Sequence, residues 1–379
     1  MKKILLLILS LFTVSYFFIQ EQTFSNDTIF IGGSLPKTSI LKEYGNAVEN
    51  GANAYFSYAN KMNMIPHKKI QFITYDDKYE PKITLENTKK LLENKELFIL
   101  YGFVGTPTVK NILPLIYKEN IPFIAPFSGA TFLRNNSNEN IVNFRSSYKN
   151  EIKAHIKYLY EKKGFTKIAV FYQNDEYGED GYISLVNILK TYDLSLVAEG
   201  NYKRNTLSIR HAFNSIKEAK PEAIIMIGAN KANTLFIKKA QQNKDFNDTI
   251  FCNISFGDAS EMIKDLGDDN KNILFSQIVP NYQDKSLPII QEYHTLSKQY
   301  DPHFEASFIS LEAFLSAKLL VTALKNIKGD ITRKKFLKQL GSLPKETLDG
   351  ITIATKNENF LYEVYLFTYE NQHFIEVRK

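Results

Sequence analysis

Short apolar runs alternate with amphipathic segments along most of the chain. Thr28–Gly33, Lys69–Tyr75, Leu97–Tyr101 and Phe123–Ala125 read as strands. Between them, Leu41–Met62, Pro81–Asn94 and Pro107–Glu119 carry helical spacing, the last two with proline at their start. The pattern then restarts. Asn150–Lys163, Gly178–Tyr192, Thr206–Ala219 and Asn230–Asn243 are predicted helices. Lys167–Tyr172, Ser195–Glu199, Ala223–Gly228 and Thr249–Ile254 are predicted strands. Such alternation predicts an α/β protein with mostly parallel sheets flanked by helices, because parallel strands need crossovers. A different texture follows. Leu287–Tyr300, Glu305–Lys328 and Thr332–Leu340 read as helices; Ile351–Ile353, Tyr362–Tyr369 and Phe374–Val377 read as antiparallel strands around an Asn371-Gln372 turn. No low-complexity linker separates the two α/β units, so two lobes packed around a cleft are expected. Ligands of open α/β sheets bind beyond the carboxyl ends of the strands, which directs attention to the loops there.

The first 25 residues stand apart. Met1-Lys2-Lys3 precedes a nearly apolar stretch, Ile4–Ile19, that would span only about 24 Å as a helix. A basic start, a short apolar stretch and small residues around Thr23-Phe24-Ser25 form the pattern of a signal peptide over 1–25. An uncleaved anchor is the alternative. Both predict export, and export with one cysteine predicts a periplasmic location. That cysteine, Cys252, excludes an intramolecular disulfide, a Cys-cluster zinc site and an N-terminal lipidated cysteine. Its apolar run, Ile250-Phe251-Cys252, predicts a buried side chain.

Charge adds little. The balance of 47 basic and 41 acidic residues gives +6, and Lys162-Lys163 and Arg333-Lys334-Lys335 are short and scattered, so no nucleic-acid partner is expected. The six histidines form no metal-ligand pair by spacing, so neither a metal nor a cofactor is expected. Ser128 sits in Phe-Ser-Gly-Ala and not in Gly-x-Ser-x-Gly, so no catalytic residue is assigned.

The loops carry the chemistry. Gly32-Gly33-Ser34-Leu35-Pro36 lacks the pattern of a phosphate loop. Asp76-Asp77, beside Lys78 and a helix start, reads as capping and solvated carboxylates. Gly102-Phe103-Val104-Gly105-Thr106-Pro107-Thr108 places a hydroxyl and free amides at a helix start, and Pro126-Phe127-Ser128-Gly129-Ala130 adds another hydroxyl and more amides. Together they could hold one carboxylate; ordinary helix capping is the competing reading. Tyr177, after Lys167–Tyr172, either covers a ligand or packs between its loop and a helix.

These residues carry a resemblance. Tyr44-Gly45 with Glu49-Asn50-Gly51-Ala52-Asn53-Ala54, Tyr75-Asp76-Asp77 with Pro81, and the two loops above follow one another in order. Ile121-Pro122-Phe123-Ile124-Ala125, Ile168 to Gly178 and Ser307-Phe308-Ile309-Ser310-Leu311-Glu312 continue the series. From about Thr28 to Val377 the chain resembles the exported solute-binding proteins of ABC transporters, in the type I branch typified by leucine/isoleucine/valine-binding proteins. The resemblance implies a two-lobed clamshell that the chain crosses three times, with lobe one at 28–147 plus 281–347 and lobe two at 148–280 plus 348–379. It implies that Thr106, Ser128 and Gly129 hold a ligand carboxylate and that Tyr44 and Tyr177 flank the ligand. Phe103, Phe127, Asn230 and Ser255 complete the expected ligand-binding set. Amino-acid binders of the family place an acid where this chain has Ile254 or Ser255, so the usual ammonium partner is missing unless Asp258 substitutes. The implied function is capture of a small amino acid or related carboxylate for a membrane permease. A ligand-sensing subunit for a receptor or histidine kinase is the alternative, and an exported enzyme a third.

Overall fold

The structure is a computed structural model that describes residues 22–134, 139–354 and 359–377. Most of the expected leader, up to residue 21, lies outside the described residues.

The first sheet has the order β2-β1-β3-β4-β5, built from β1 (Thr28–Leu35), β2 (Lys69–Asp76), β3 (Leu97–Tyr101), β4 (Phe123–Ile124) and β5 (Ile141–Val142), all parallel. Its crossovers are α1 (Lys42–Lys61), α2 (Pro81–Glu93) and α3 (Thr106–Glu119). β3 is buried along its whole length, as a strand covered on both faces must be. The second sheet contains β6 (Ile168–Gln173), β7 (Leu196–Tyr202), β8 (Ala223–Ile227), β9 (Ile250–Asn253), β10 (Ile273–Gln277), β11 (Tyr365–Glu370) and β12 (His373–Glu376). Its order is β12-β11-β10-β9-β8-β6-β7, parallel except where β11 joins β10 and β12. Around it lie α4 (Tyr148–Lys157), α5 (Glu176–Lys190), α6 (Arg210–Ala219), α7 (Asn230–Gln241) and α8 (Ala259–Leu266).

The remaining helices, α9 (Pro288–Tyr300), α10 (Phe308–Lys325) and α11 (Arg333–Gly341), return to the first sheet, where α9 and α10 pack on α1. Fifteen of the 18 residues of α10 are buried, so it is apolar nearly all round and behaves as a core helix. Gly51 makes its contact with α1 possible: a Cβ there would lie 2.2 Å from the Ser310 carbonyl oxygen. Among the described residues no helix is long and apolar enough to cross a membrane.

Several expected boundaries move for identifiable reasons. α10 begins at Phe308, not Glu305, because Ser307 and Ser310 form a reciprocal cap. α4 begins at Tyr148 under the Ser147 cap and turns into a π-helical segment at Tyr158–Lys162. Ile351–Ile353 is not a strand; Ile351 makes a single bridge to Leu348. β10 and α8 carry no prediction from the sequence pattern. At the other end, Phe24 is buried against Phe98, at a ring separation of 4.9 Å, and donates its N–H to the Ile331 carbonyl, so cleavage after Ser25 would take a side chain out of the first lobe's core.

Candidate ligand-binding site

The carboxyl ends of both sheets face one another, and the loops there supply a ring of aromatic side chains. Tyr44 comes from the first turn of α1, Tyr79 from the β2–α2 loop, Phe127 from the segment after β4, and Tyr177 from the first turn of α5. At their centre lies Phe256, from the 3₁₀ turn Ser255–Gly257 that follows β9. Its ring centroid is 4.5 Å from Tyr177, 5.4 Å from Tyr44, 5.9 Å from Phe127 and 6.3 Å from Tyr79. All are tilted pairs, within the range where aromatic quadrupoles attract.

Local chemistry sets each ring. Asp175 caps α5 by accepting the Tyr177 N–H at 3.0 Å. Lys78 and Tyr79 both have positive φ, 54° and 61°, and the turn is held by Asp77, whose carboxylate accepts the Tyr79 N–H at 2.9 Å. Asp77 is therefore not the solvated carboxylate expected. It is fully buried, accepts from Ser34 Oγ at 2.8 Å and Thr84 Oγ1 at 3.2 Å, and burial raises its pKa to about 6 against those hydrogen bonds. Gly105, at φ 100°, makes room for the Tyr79 ring, since a Cβ would sit 2.2 Å from Tyr79 Cε2.

The hydroxyl end of the site assembles as three groups. Thr106 Oγ1 lies 2.8 Å from Ser128 Oγ and 3.2 Å from Tyr148 OH, at the start of α3. Burial raises the Tyr148 pKa, while the nearby Arg145 charge, Thr106 and the Gly129 backbone oppose that shift. Gly129 has to be glycine, because its Cβ would lie 2.5 Å from the Tyr148 ring.

The charged end is formed by Arg145, on the segment between the two sheets. Its Nη2 donates to Ser255 Oγ at 2.9 Å and Glu312 Oε2 at 3.3 Å, and its Nε lies 3.2 Å from Glu312 Oε1. The guanidinium is 4.0 Å from the Phe127 ring centroid. Glu151 accepts from the Ser255 N–H and hydroxyl, at 2.7 and 2.9 Å, and from Ser276 Oγ at 2.7 Å. Burial pushes the pKa of both Glu312 and Glu151 up despite the guanidinium beside them. Among the described residues, Arg145 Nη1 and Asn230 Nδ2 are buried donors with no hydrogen-bond acceptor.

The structure thus brings together Tyr44, Thr106, Phe127, Ser128, Gly129, Tyr177 and Asn230; the Tyr44 hydroxyl donates to the Phe256 carbonyl at 2.7 Å and accepts the Asn230 N–H at 3.1 Å. Phe103 is elsewhere. It packs edge-on against Phe123 in a core shared with Leu97 and Val109. Ser255 is present but engaged by Glu151 and Arg145. Asp258 caps α8, accepting the Glu261 N–H at 3.4 Å. Tyr79, Arg145, Tyr148 and Phe256 are the participants that sequence reasoning missed. Only Arg145 left a signal, as the one charge between Glu139 and Lys149. Among the described residues no group of three His, Cys, Asp or Glu side chains could hold a metal.

The mouth of the cleft is closed by contacts between the two layers. Lys264 on α8 pairs with Glu305 at 2.6 Å, Arg204 with Glu80 at 3.3 Å, and Gln173 donates to Tyr79 OH at 3.2 Å.

Comparison with known proteins places this geometry. A possible leucine/isoleucine/valine-binding protein from Rhodopirellula baltica is 29% identical, with a TM-score of 0.88 over 94% of this chain and 98% of that one. The R. palustris solute-binding protein of an ABC transporter, solved with benzoate, and a branched-chain amino acid ABC transporter protein from Thermus thermophilus, solved with valine, are each 16% identical with TM-scores of 0.81. The first covers 92% of this chain and 95% of its own, the second 93% and 95%; both share the fold. No curated protein matches the sequence. The family model for periplasmic binding proteins matches residues 28–373, and with two mostly parallel sheets facing each other across an aromatic cleft, the chain belongs to the periplasmic binding protein family.

Proposed function

We propose that this protein is the periplasmic substrate-binding component of an ABC importer, capturing a small carboxylate between its lobes and delivering it to a membrane permease. The lobes are taken as 28–147 plus 281–347 and 148–280 plus 348–379, after an export signal within 1–25. The observation that carries this reading is the cleft itself: hydroxyls of Thr106, Ser128 and Tyr148 beside the buried Arg145, walled by rings from both layers. Ligand carboxylates suit such a cluster because charge-assisted hydrogen bonds replace lost hydration. The relatives support it by what they hold, valine in one and benzoate in another.

The site favours a carboxylate without an α-amino group over an α-amino acid. Neither Ile254 nor Ser255 supplies an acid, Asp258 is a helix cap, and the buried acids Glu151 and Glu312 are already engaged, Glu151 by Ser255 and Ser276 and Glu312 by Arg145. An ammonium closed in without a partner is costly. A ligand that touches both lobes binds the closed form better than the open one, and that difference shifts the population toward the shape a permease recognises.

Calorimetry against amino acids and small carboxylates tests the assignment. Thr106→Ala is expected to weaken the best carboxylate about tenfold, the equivalent of one lost hydrogen bond to a charged group. Unchanged affinity would remove Thr106 from the site.

A further inference from the structure

Phe256 is an unusual core residue. It is fully buried, yet it reaches its surroundings from a three-residue turn and not from a strand or a long helix. Three of its four aromatic neighbours, Tyr44, Tyr79 and Phe127, belong to the first layer, and only Tyr177 belongs to its own. Its ring therefore bridges the two halves where they close, as a bound ligand would.

The polar groups needed to hold an anion lie beside that ring. Phe127 is shared: one neighbour is the Phe256 ring and another is the Arg145 guanidinium, 4.0 Å from its centroid. Arg145 Nη2 and Nε already face Glu312, but among the described residues Nη1 is buried without an acceptor, and Thr106, Ser128 and Tyr148 form their hydroxyl cluster within the same core. The turn is anchored at Ser255, whose N–H and hydroxyl both donate to Glu151, and the Phe256 ring itself is held by packing alone. Between the end of β9 at Asn253 and the start of α8 at Ala259 only Ser255 and Asp258 are tied by their side chains, and the backbone tie of Phe256 across the cleft is the single bond from Tyr44 OH.

We propose that Phe256 is the chain's own occupant of a ring subsite, and that the ligand is a small aromatic carboxylate whose ring displaces it while its carboxylate meets Arg145 and the hydroxyls. This rests on the binding-protein reading above and names the ligand class for that site. Phe256 then sets specificity by competition. A planar ring regains the tilted aromatic contacts that Phe256 gives up, whereas a branched aliphatic chain does not.

The test is calorimetry on purified protein and on Phe256→Ala, with benzoate, phenylacetate, leucine, valine and toluene as probes. Benzoate or phenylacetate should bind the natural protein and bind Phe256→Ala at least tenfold tighter, because no side chain has to be displaced; leucine and valine should change less than twofold. Benzoate should also exceed toluene, since a plain apolar hole would prefer toluene. Weaker benzoate binding in Phe256→Ala would make Phe256 a wall of the site and overturn the proposal. So would an equal gain for leucine, or toluene matching benzoate. Binding of leucine or valine with no aromatic ligand bound in either protein overturns the ring subsite but leaves the transport reading standing; no binding by any probe removes both. If Phe256→Ala does not fold, Phe256→Leu keeps apolar bulk without the ring and should show the same order of gains, reduced to a few-fold.

Discussion

The two ends of the cleft are built on different principles. At the hydroxyl end, Thr106, Ser128 and Gly129 occupy loops whose shape is set by neighbours in sequence: a glycine at φ 100°, a proline in the first turn of α3, and a short segment after β4. At the charged end, Arg145 and Glu151 meet Ser255 and Glu312 from two distant parts of the chain, with sequence separations of 104 to 167 residues between bonded partners. The hydroxyl end can lose a member and keep its fold, because hydroxyls are neutral and their backbone is held independently. The charged end cannot, because its one cation lies between two buried carboxylates in a place water does not reach.

Removing Arg145 is the strongest way to break that contrast. Arg145→Ala leaves Glu312 and Glu151 buried without their cation and is expected to cost about 3–5 kcal/mol in urea denaturation. Thr106→Ala should cost about 1 kcal/mol of stability by the same measurement. Equal losses would erase the distinction.

A smaller effect comes from Asp77, which sets the Tyr79 turn. Its folded pKa of about 6 lies above the ordinary 3.8, so the fold binds the proton more tightly than the unfolded chain. The associated stability is complete below pH 3.8 and is lost as pH rises through about 6. At roughly 1.4 kcal/mol per pH unit this amounts to about 2–3 kcal/mol. Asp77→Asn should flatten the dependence of Tm on pH between 4 and 7; an unchanged slope would assign it to other groups.

A comparable effect sharpens the local side of the comparison. Gly105→Ala forces φ 100° on a residue with a Cβ and drives it into the Tyr79 ring, at a cost of about 1–3 kcal/mol in thermal denaturation. Because Tyr79 is one wall of the ring cluster, ligand affinity should fall as well. A stable variant with unchanged affinity would show that the turn can re-form without the glycine.

This contrast also explains what the sequence made legible. The alternation of strands and helices was readable because each element carries its own period, and the starts of α2 and α3 were readable, α3 to within one residue, because proline marks them. β10 escaped notice because Ile273-Leu274-Phe275-Ser276-Gln277 combines a brief apolar run with two polar residues, and Ser276 can be buried there because it meets Glu151 on α4. Phe256 and Tyr148 could not be read as site residues, since a phenylalanine after a strand and a tyrosine starting a helix look like any others until both layers close. Phe103 erred in the opposite direction. It lies in a suggestive loop, but its side chain turns into the first lobe's core.

The docking of Phe24 has a consequence for how the protein is presented. Phe24 packs beside Phe98 and near Arg333, whose guanidinium donates to the carbonyls of Leu97 and Phe98 at the amino-terminal end of β3. The ligand cleft lies at the opposite end of the same strand, about 16 Å away for five residues of extended chain. Gln22, whose side chain donates to the Lys95 carbonyl just before β3, therefore lies at the floor of the first lobe. A tether attached there would hold that lobe still as a pedestal, leave the other free to swing, and keep the opening turned toward the solvent from which a solute arrives.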